Sequence, residues 1–165
     1  MAAVAWGAAR GRANILQLSS EFSPARSLAG AAAGLALAGA VVFLSRYAVH
    51  RLEWARHLHQ EFRHLLGPLT SGEIFIIAFA SSVGEECFFR GALLPHLHLW
   101  LSSALFALPH IGPSARFLPW TATSFLIGLA FGGLFLLFGD LGGPIVAHFT
   151  INLLNLRYIA QHDLA

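Results

Sequence analysis

A chain of 165 residues has room for one domain, and 56% hydrophobic residues beside 11% charged ones set it far from the soluble average of about 25% charged. The composition is that of a membrane protein. The ten basic residues are all arginine and give a formal net charge of +2 without a long basic run, so nucleic acid is not expected as a partner, and the single cysteine, Cys87, allows no intramolecular disulfide.

Residues 1–26 read as a small-residue leader that holds Arg10, Arg12 and Arg26 but no compact apolar core, so it is not expected to be a signal peptide. The uncharged run Ser27 to Ser45 comes close to the roughly 20 residues a helix needs to cross the hydrocarbon core, and is the first predicted span. From Arg46 to Leu66, four arginines alternate with Leu52, Ala55, Leu58, Phe62, Leu65 and Leu66 at spacings of three and four. That pattern predicts an amphipathic helix on a lipid surface, arginines toward phosphates and apolar stripe toward acyl chains, or else a solvated connector; Gly67-Pro68 ends it. His50, His57, His59 and His64 are expected to face water or lipid there, and Trp54, Trp100 and Trp120 suit interfacial anchoring.

Four apolar segments follow: Ile74 to Phe89, Leu93 to Pro109, Phe117 to Gly139 and Leu141 to Leu156. Phe117 to Gly139 is a second uncharged span, while the other three carry Glu, His or Asn that are expected to turn inward. Short connections are predicted at Gly91, around Gly112-Pro113 and at Gly139 to Pro144, where Asp140 closes a tight turn. The predicted fold is all-α: a polytopic membrane helix bundle of about five spans plus one amphipathic surface helix, with a polar cavity inside. Residues 1–71 are expected to form an N-terminal leader, first span and surface helix, and residues 72–165 the membrane core. The arginine distribution is expected to put the surface helix and the C terminus in the cytoplasm, and the Lys-free, Ala/Gly-rich composition suggests a high-GC genome.

Three constellations carry chemistry. Glu85, Glu86 and Arg90 sit between uncharged runs, and an ionisable group at bilayer depth costs roughly 2.5–3.5 kcal/mol, so such groups face a protein interior or a water cavity. Glu86 and Arg90 are four apart on one helical face, acid before base, whereas Glu85 is about 100° away and lacks a local counterion. Glu86 can then hold the helix in register while Glu85 is left for acid–base work; both could instead lie at a helix end in interfacial water. His148 and Asn152, also four apart, point one way and could donate to a developing oxyanion, or tie two helices together. Phe106 to His110 brings an imidazole to a helix end at Pro109. Ser81 and Ser82, about a turn before Glu85, line the cavity or serve helix packing.

Glu85-Glu86-x-x-x-Arg90, Phe106-x-x-x-His110 and His148-x-x-x-Asn152, in that order, resemble the three signature motifs of the CAAX protease and bacteriocin-processing family of intramembrane glutamic endopeptidases. The resemblance covers about Gly72 to Leu156. It implies that Glu85 activates the attacking water with His110 assisting, that His148 and Asn152 stabilise the oxyanion, and that Glu86, Arg90 and Phe106 support the site. No metal and no cofactor are implied. The expected partners are the lipid bilayer and a membrane protein or lipidated peptide substrate, with a CAAX-like or C-terminal sorting-signal tail. Three alternatives stand beside this reading. A metal peptidase could use Glu85, His110 and His148 as ligands, although the two-His zincin spacing is absent. Cys87 could be a nucleophile, although its glutamate neighbours oppose a thiolate. A non-proteolytic binding or immunity protein could share the fold; a transporter would be expected to show an internal repeat, and none is visible.

Overall fold

The computed structural model describes residues 2–11, 14–18 and 23–164; Arg12 of the expected leader lies outside them. Among the described residues the chain is helical, with one isolated antiparallel bridge between Gln17 and Asp140. The helices are α1 (Ala2–Ala9), α2 (Pro24–Arg51), α3 (Glu53–Leu66), α4 (Ser71–Glu86), α5 (Leu94–Ala107), α6 (Leu118–Phe138) and α7 (Gly142–Gln161). A π-helical segment, Cys87–Leu93, joins α4 to α5, and 3-10 turns at Leu108–His110 and Ala115–Phe117 lead into α6. Three stretches are long and apolar enough to cross a membrane by length and composition: Pro24–Arg51, Ser71–His110 and Ala115–Phe138.

Local chemistry sets most helix ends. The Ser23 side chain accepts from the Arg26 amide and Pro24 supplies the first turn of α2. That helix runs past the apolar stretch to Arg51 and breaks at Leu52, whose backbone is extended at φ −122°, ψ 126°. Arg46 therefore continues the span, and the amphipathic helix begins at Glu53. Gly67, at φ 65°, ends α3 as the Gly-Pro pair predicts. Thr70 and Glu73 form a capping box for α4: the Thr70 hydroxyl accepts from the Glu73 amide at 3.3 Å, and Glu73 accepts from the Thr70 amide at 2.8 Å.

The reversal expected at Gly91 lies elsewhere. Gly91 continues the helix inside the π segment, and its missing Cβ makes room for the Ile15 carbonyl oxygen, with which a methyl group would collide. The chain turns instead at His98, at φ 61°, ψ 160°. Beyond it, Ser102 donates to the Phe89 carbonyl at 2.8 Å, thirteen residues back, and Phe106 meets Phe89 edge to face at 5.3 Å. A continuous helix would separate residues 89 and 102 by about 20 Å, so the chain doubles back on itself. The 40-residue stretch Ser71–His110 thus supplies two arms of the bundle.

Helix α7 is the hub. Gly30, Gly34 and Ala38 of α2 lie one turn apart and let its backbone approach α7 closely: a Cβ on Gly143 would sit 2.7 Å from the Gly30 carbonyl oxygen, and one on Gly34 would collide with the Gly143 carbonyl. This is the small-residue packing that membrane helices use in place of hydrophobic burial. A buried cluster of Ala38, Phe131, Ala147 and Ile151 joins α2, α6 and α7, and a second of Phe89, Leu93 and Phe106 joins the π segment to α5. Leu28, Leu35, Phe43 and Leu44 of α2 face outward, as a lipid-exposed surface requires.

Two arginines expected to meet lipid phosphates bind α7. Arg46 donates to Asn155 Oδ1 at 2.9 Å and to the Leu154 carbonyl at 2.8 Å, and its guanidinium lies 3.8 Å from the Tyr158 ring centroid. Arg63 donates to the carbonyls of Ile159 and Ala160 at 2.9 and 3.0 Å, satisfying the last turn of α7. His59 is buried rather than facing water or lipid, with its ring nitrogen 2.9 Å from the His162 carbonyl oxygen. At the other end of α7, Asp140 accepts from the Gly142 amide at 2.8 Å, closing the expected turn, and from the Ser27 hydroxyl at 2.6 Å.

Candidate active site

The two adjacent glutamates meet different surroundings because one helical step separates them. Glu86 is fully buried, and its Oε1 accepts from Arg90 Nη1 at 3.1 Å and from His148 Nδ1 at 2.8 Å. Arg90, 1% exposed, donates to the Gly128 carbonyl at 3.0 Å and lies 4.1 Å from the centroid of Phe106 and 5.4 Å from that of Phe131. Arg90 and Glu86 Oε1 are therefore paired, hydrogen-bonded or set against an aromatic face, while Glu86 Oε2 is buried without a hydrogen-bond partner among the described residues. Gly128 has a local reason: a Cβ there would sit 3.2 Å from the Phe106 ring and 3.4 Å from Arg90 Nη2.

Glu85 is 31% exposed along its side chain, against none for Glu86. Its Oε2 makes no hydrogen bond to the protein and lies 3.9 Å from His110 Nε2. The other ring nitrogen of His110 is 2.8 Å from the Phe106 carbonyl oxygen. A carbonyl only accepts, so Nδ1 carries the proton and the neutral ring offers a lone pair at Nε2. Glu85 and His110 then present two acceptors across a gap too long for a direct bond, a separation that one water donating to both would bridge. The imidazole also packs on the Phe106 ring, centroids 4.7 Å apart, and on Trp120 at 5.0 Å.

His148 is 4% exposed and sits between the rings of Phe106, at 5.9 Å, and Phe131, at 5.2 Å. Its Nδ1 is engaged by Glu86, so Nε2 is the nitrogen left for other work. Asn152, one turn on, donates to the Ser81 hydroxyl at 3.0 Å. Glu85, Glu86, Arg90, His110 and His148 thus fall around one ring, Phe106, and one carboxylate pair, while Asn152 meets Ser81. His148 is drawn to Glu86 and His110 to Glu85; among the described residues no three His, Cys, Asp or Glu side chains form a metal-ligating group. An open hollow of about 570 Å³ lined by Gln60, Arg63, His64 and Asp163, where the ends of α3 and α7 meet, contains none of these residues.

Three participants, Trp120, Thr121 and Gly128, were not expected at the site from the residues alone, and a fourth, Ser81, was expected only to line the cavity or serve packing. Trp120 packs on His110, and Thr121 donates to the His110 carbonyl at 2.6 Å. The Gly128 carbonyl receives Arg90, and Ser81 takes the definite partner Asn152. Trp120 and Gly128 belong to a span without charges, where nothing in the pattern distinguishes a site-facing residue from a lipid-facing one.

Comparison with known proteins agrees with the motifs. A family model described as Type II CAAX prenyl endopeptidase Rce1-like matches residues 68–154. A protein of Bacillus subtilis (strain 168), named only as uncharacterized protein YpbD, is 40% identical over 80 residues, 47% of this chain and 38% of the relative. The match thus spans well under half of that relative's length. No solved structure matches. Three membrane-crossing stretches and a matched segment that holds both glutamates, both histidines and Asn152 describe one kind of molecule. It is an integral membrane protein, and the chain belongs to the Rce1-like family of type II CAAX prenyl endopeptidases.

Proposed function

We propose that this protein is an intramembrane endopeptidase that hydrolyses a peptide bond of a membrane-associated protein or peptide by a Glu85-activated water. The observation that carries this reading is the pair of acceptors formed by Glu85 Oε2 and His110 Nε2, 3.9 Å apart on side chains that are both partly exposed, beside a buried Glu86 whose Oε1 is taken by Arg90 and His148. A water donating one O–H to each has its oxygen lone pair directed away from both and toward a substrate carbonyl.

As that oxygen bonds to the carbonyl carbon, one water proton passes to Glu85 and the carbonyl π pair moves onto oxygen. His148, held through Nδ1 by the Glu86 carboxylate, hydrogen-bonds the oxyanion from Nε2, and Asn152 donates the amide N–H that Ser81 does not take. Collapse breaks the C–N bond, and the proton on Glu85 goes to the leaving nitrogen, giving a carboxylic acid and an amine. The family description directs the substrate reading to a CAAX-like tail carrying a lipid.

Glu85→Gln removes the base without changing shape and lowers kcat by at least about 100-fold, within the range of a general base. His148→Ala costs about 100- to 1000-fold, the range of a lost oxyanion donor. The test follows the size of membrane-anchored proteins in cells, with each variant at wild-type membrane level, and cleavage of a farnesylated and an unmodified CAAX peptide in proteoliposomes with and without chelator. Precursors that accumulate in both variants support the reading. Loss of activity with chelator in the wild type would move it to a metal peptidase. A deletion phenotype that both variants rescue in full would move it to a binding role.

A further inference from the structure

His110 lies in a 3-10 turn after Pro109, and its own helix holds only one side of it, through the Phe106 carbonyl and ring. The other side is supplied by α6. The Trp120 ring stands at 62° to the imidazole, and the neighbouring Thr121 hydroxyl fixes the His110 backbone carbonyl. Trp120 is itself seated from behind. Phe62 of α3 meets it edge to face, centroids 4.9 Å apart at 88°, and meets Phe117 at 5.3 Å and 84°. Glu61, the residue before Phe62, forms an ion pair with Arg116, the residue before Phe117.

An unbroken line of ring contacts therefore runs from the amphipathic helix to the imidazole facing Glu85: Phe62, Trp120, His110. We propose that Trp120 is a positioning residue that keeps His110 Nε2 aimed at Glu85, and that Phe62 seats Trp120, so that the site is complete only while α3 is docked. This rests on the roles given above to Glu85 and His110. Without the indole, the imidazole is packed on one face only and can rotate about its side-chain torsions away from Glu85. Displacements on the order of 1 Å at a reacting group cost up to about 100-fold in rate.

The test uses the full chain in proteoliposomes with a farnesylated CAAX peptide, alongside residue-resolved diethyl pyrocarbonate labelling of histidines read by mass spectrometry. Trp120→Ala is expected to lower kcat about 10-fold with KM within about 2-fold, and Trp120→Phe, which keeps an aromatic edge, to recover most of that loss. Phe62→Ala shifts kcat the same way by less, and Trp100→Ala, an exposed indole elsewhere, leaves it unchanged. His110 labels faster in Trp120→Ala and Phe62→Ala, while the labelling of His148 is unchanged. Wild-type kcat in Trp120→Ala, or equal damage in Trp120→Phe, would overturn the proposal. If the wild type cleaves neither a farnesylated nor an unmodified CAAX peptide, the peptidase reading falls and labelling alone decides: faster at His110 supports the seating role, unchanged labelling overturns it.

Discussion

Glu86 is the residue on which the buried polar network turns, because one oxygen serves both Arg90 and His148. Glu86→Ala would leave Arg90 charged and 1% exposed without its carboxylate, a loss of about 3–5 kcal/mol by the usual cost of breaking a buried pair. Thermal unfolding in detergent should show it, with Glu86→Gln in between because an amide oxygen still accepts. Cys87, next in sequence, packs half-buried against the Leu94, Phe135 and Leu141 cluster. Cys87→Ser should retain peptidase activity at normal expression, and a dead variant would return the thiol to the mechanism. At this scale the sequence is legible where partners are close along the chain. Glu86 and Arg90 are four apart and declare themselves; Glu86 and His148 are 62 apart, and no local pattern could join them.

Helix ends were readable where glycine and proline make them, as at Gly67-Pro68 and Gly139. They were not readable where tertiary contact decides. Gly91 has the composition of a turn, yet its role is to let the Ile15 backbone pass, while the reversal falls on His98, a residue type with no turn signature. Arg46 looked like the start of a surface helix because charge normally ends a span, but α7 offers it two carbonyl-type acceptors and a tyrosine ring. The same close packing makes a test at this scale. Gly34→Leu places side-chain atoms against the Gly143 carbonyl and should destabilise the α2–α7 pair by about 1–3 kcal/mol, the range for overpacking. Gly39→Ala, on the same helix with nothing near its added methyl, should instead raise stability by up to about 1 kcal/mol through helix propensity alone. Unfolding midpoints of the two variants moving in the same direction would contradict this account of α2.

Composition alone announces the bundle, since an apolar chain with few charges must satisfy its backbone internally and helices are the way to do so. What composition hides is that α3 is bound on both sides: to α7 through Arg63 and His59, and to α6 and the turn before it through Phe62 and Glu61. Its amphipathic pattern reads the same whether the partner is lipid or protein. The π segment bears on the whole molecule in another way. It closes its bonds over one residue more than an α-helix does, as in the Leu94 amide bonded to the Phe89 carbonyl, and both flanks are anchored, Glu86 by His148 and Leu94 beside Phe135 and Leu141. The segment therefore holds one residue more than an α-helix would need, and Ala92, between Gly91 against Ile15 and Leu93 in its buried cluster, is the one without such a role. Losing one residue there lets the backbone tighten into an ordinary helix with both anchors in place, whereas losing one from α4 or α7 would rotate Glu86 or His148 by about 100° away from its partner. Chain length is negotiable within a turn of the residues whose angular position is least so.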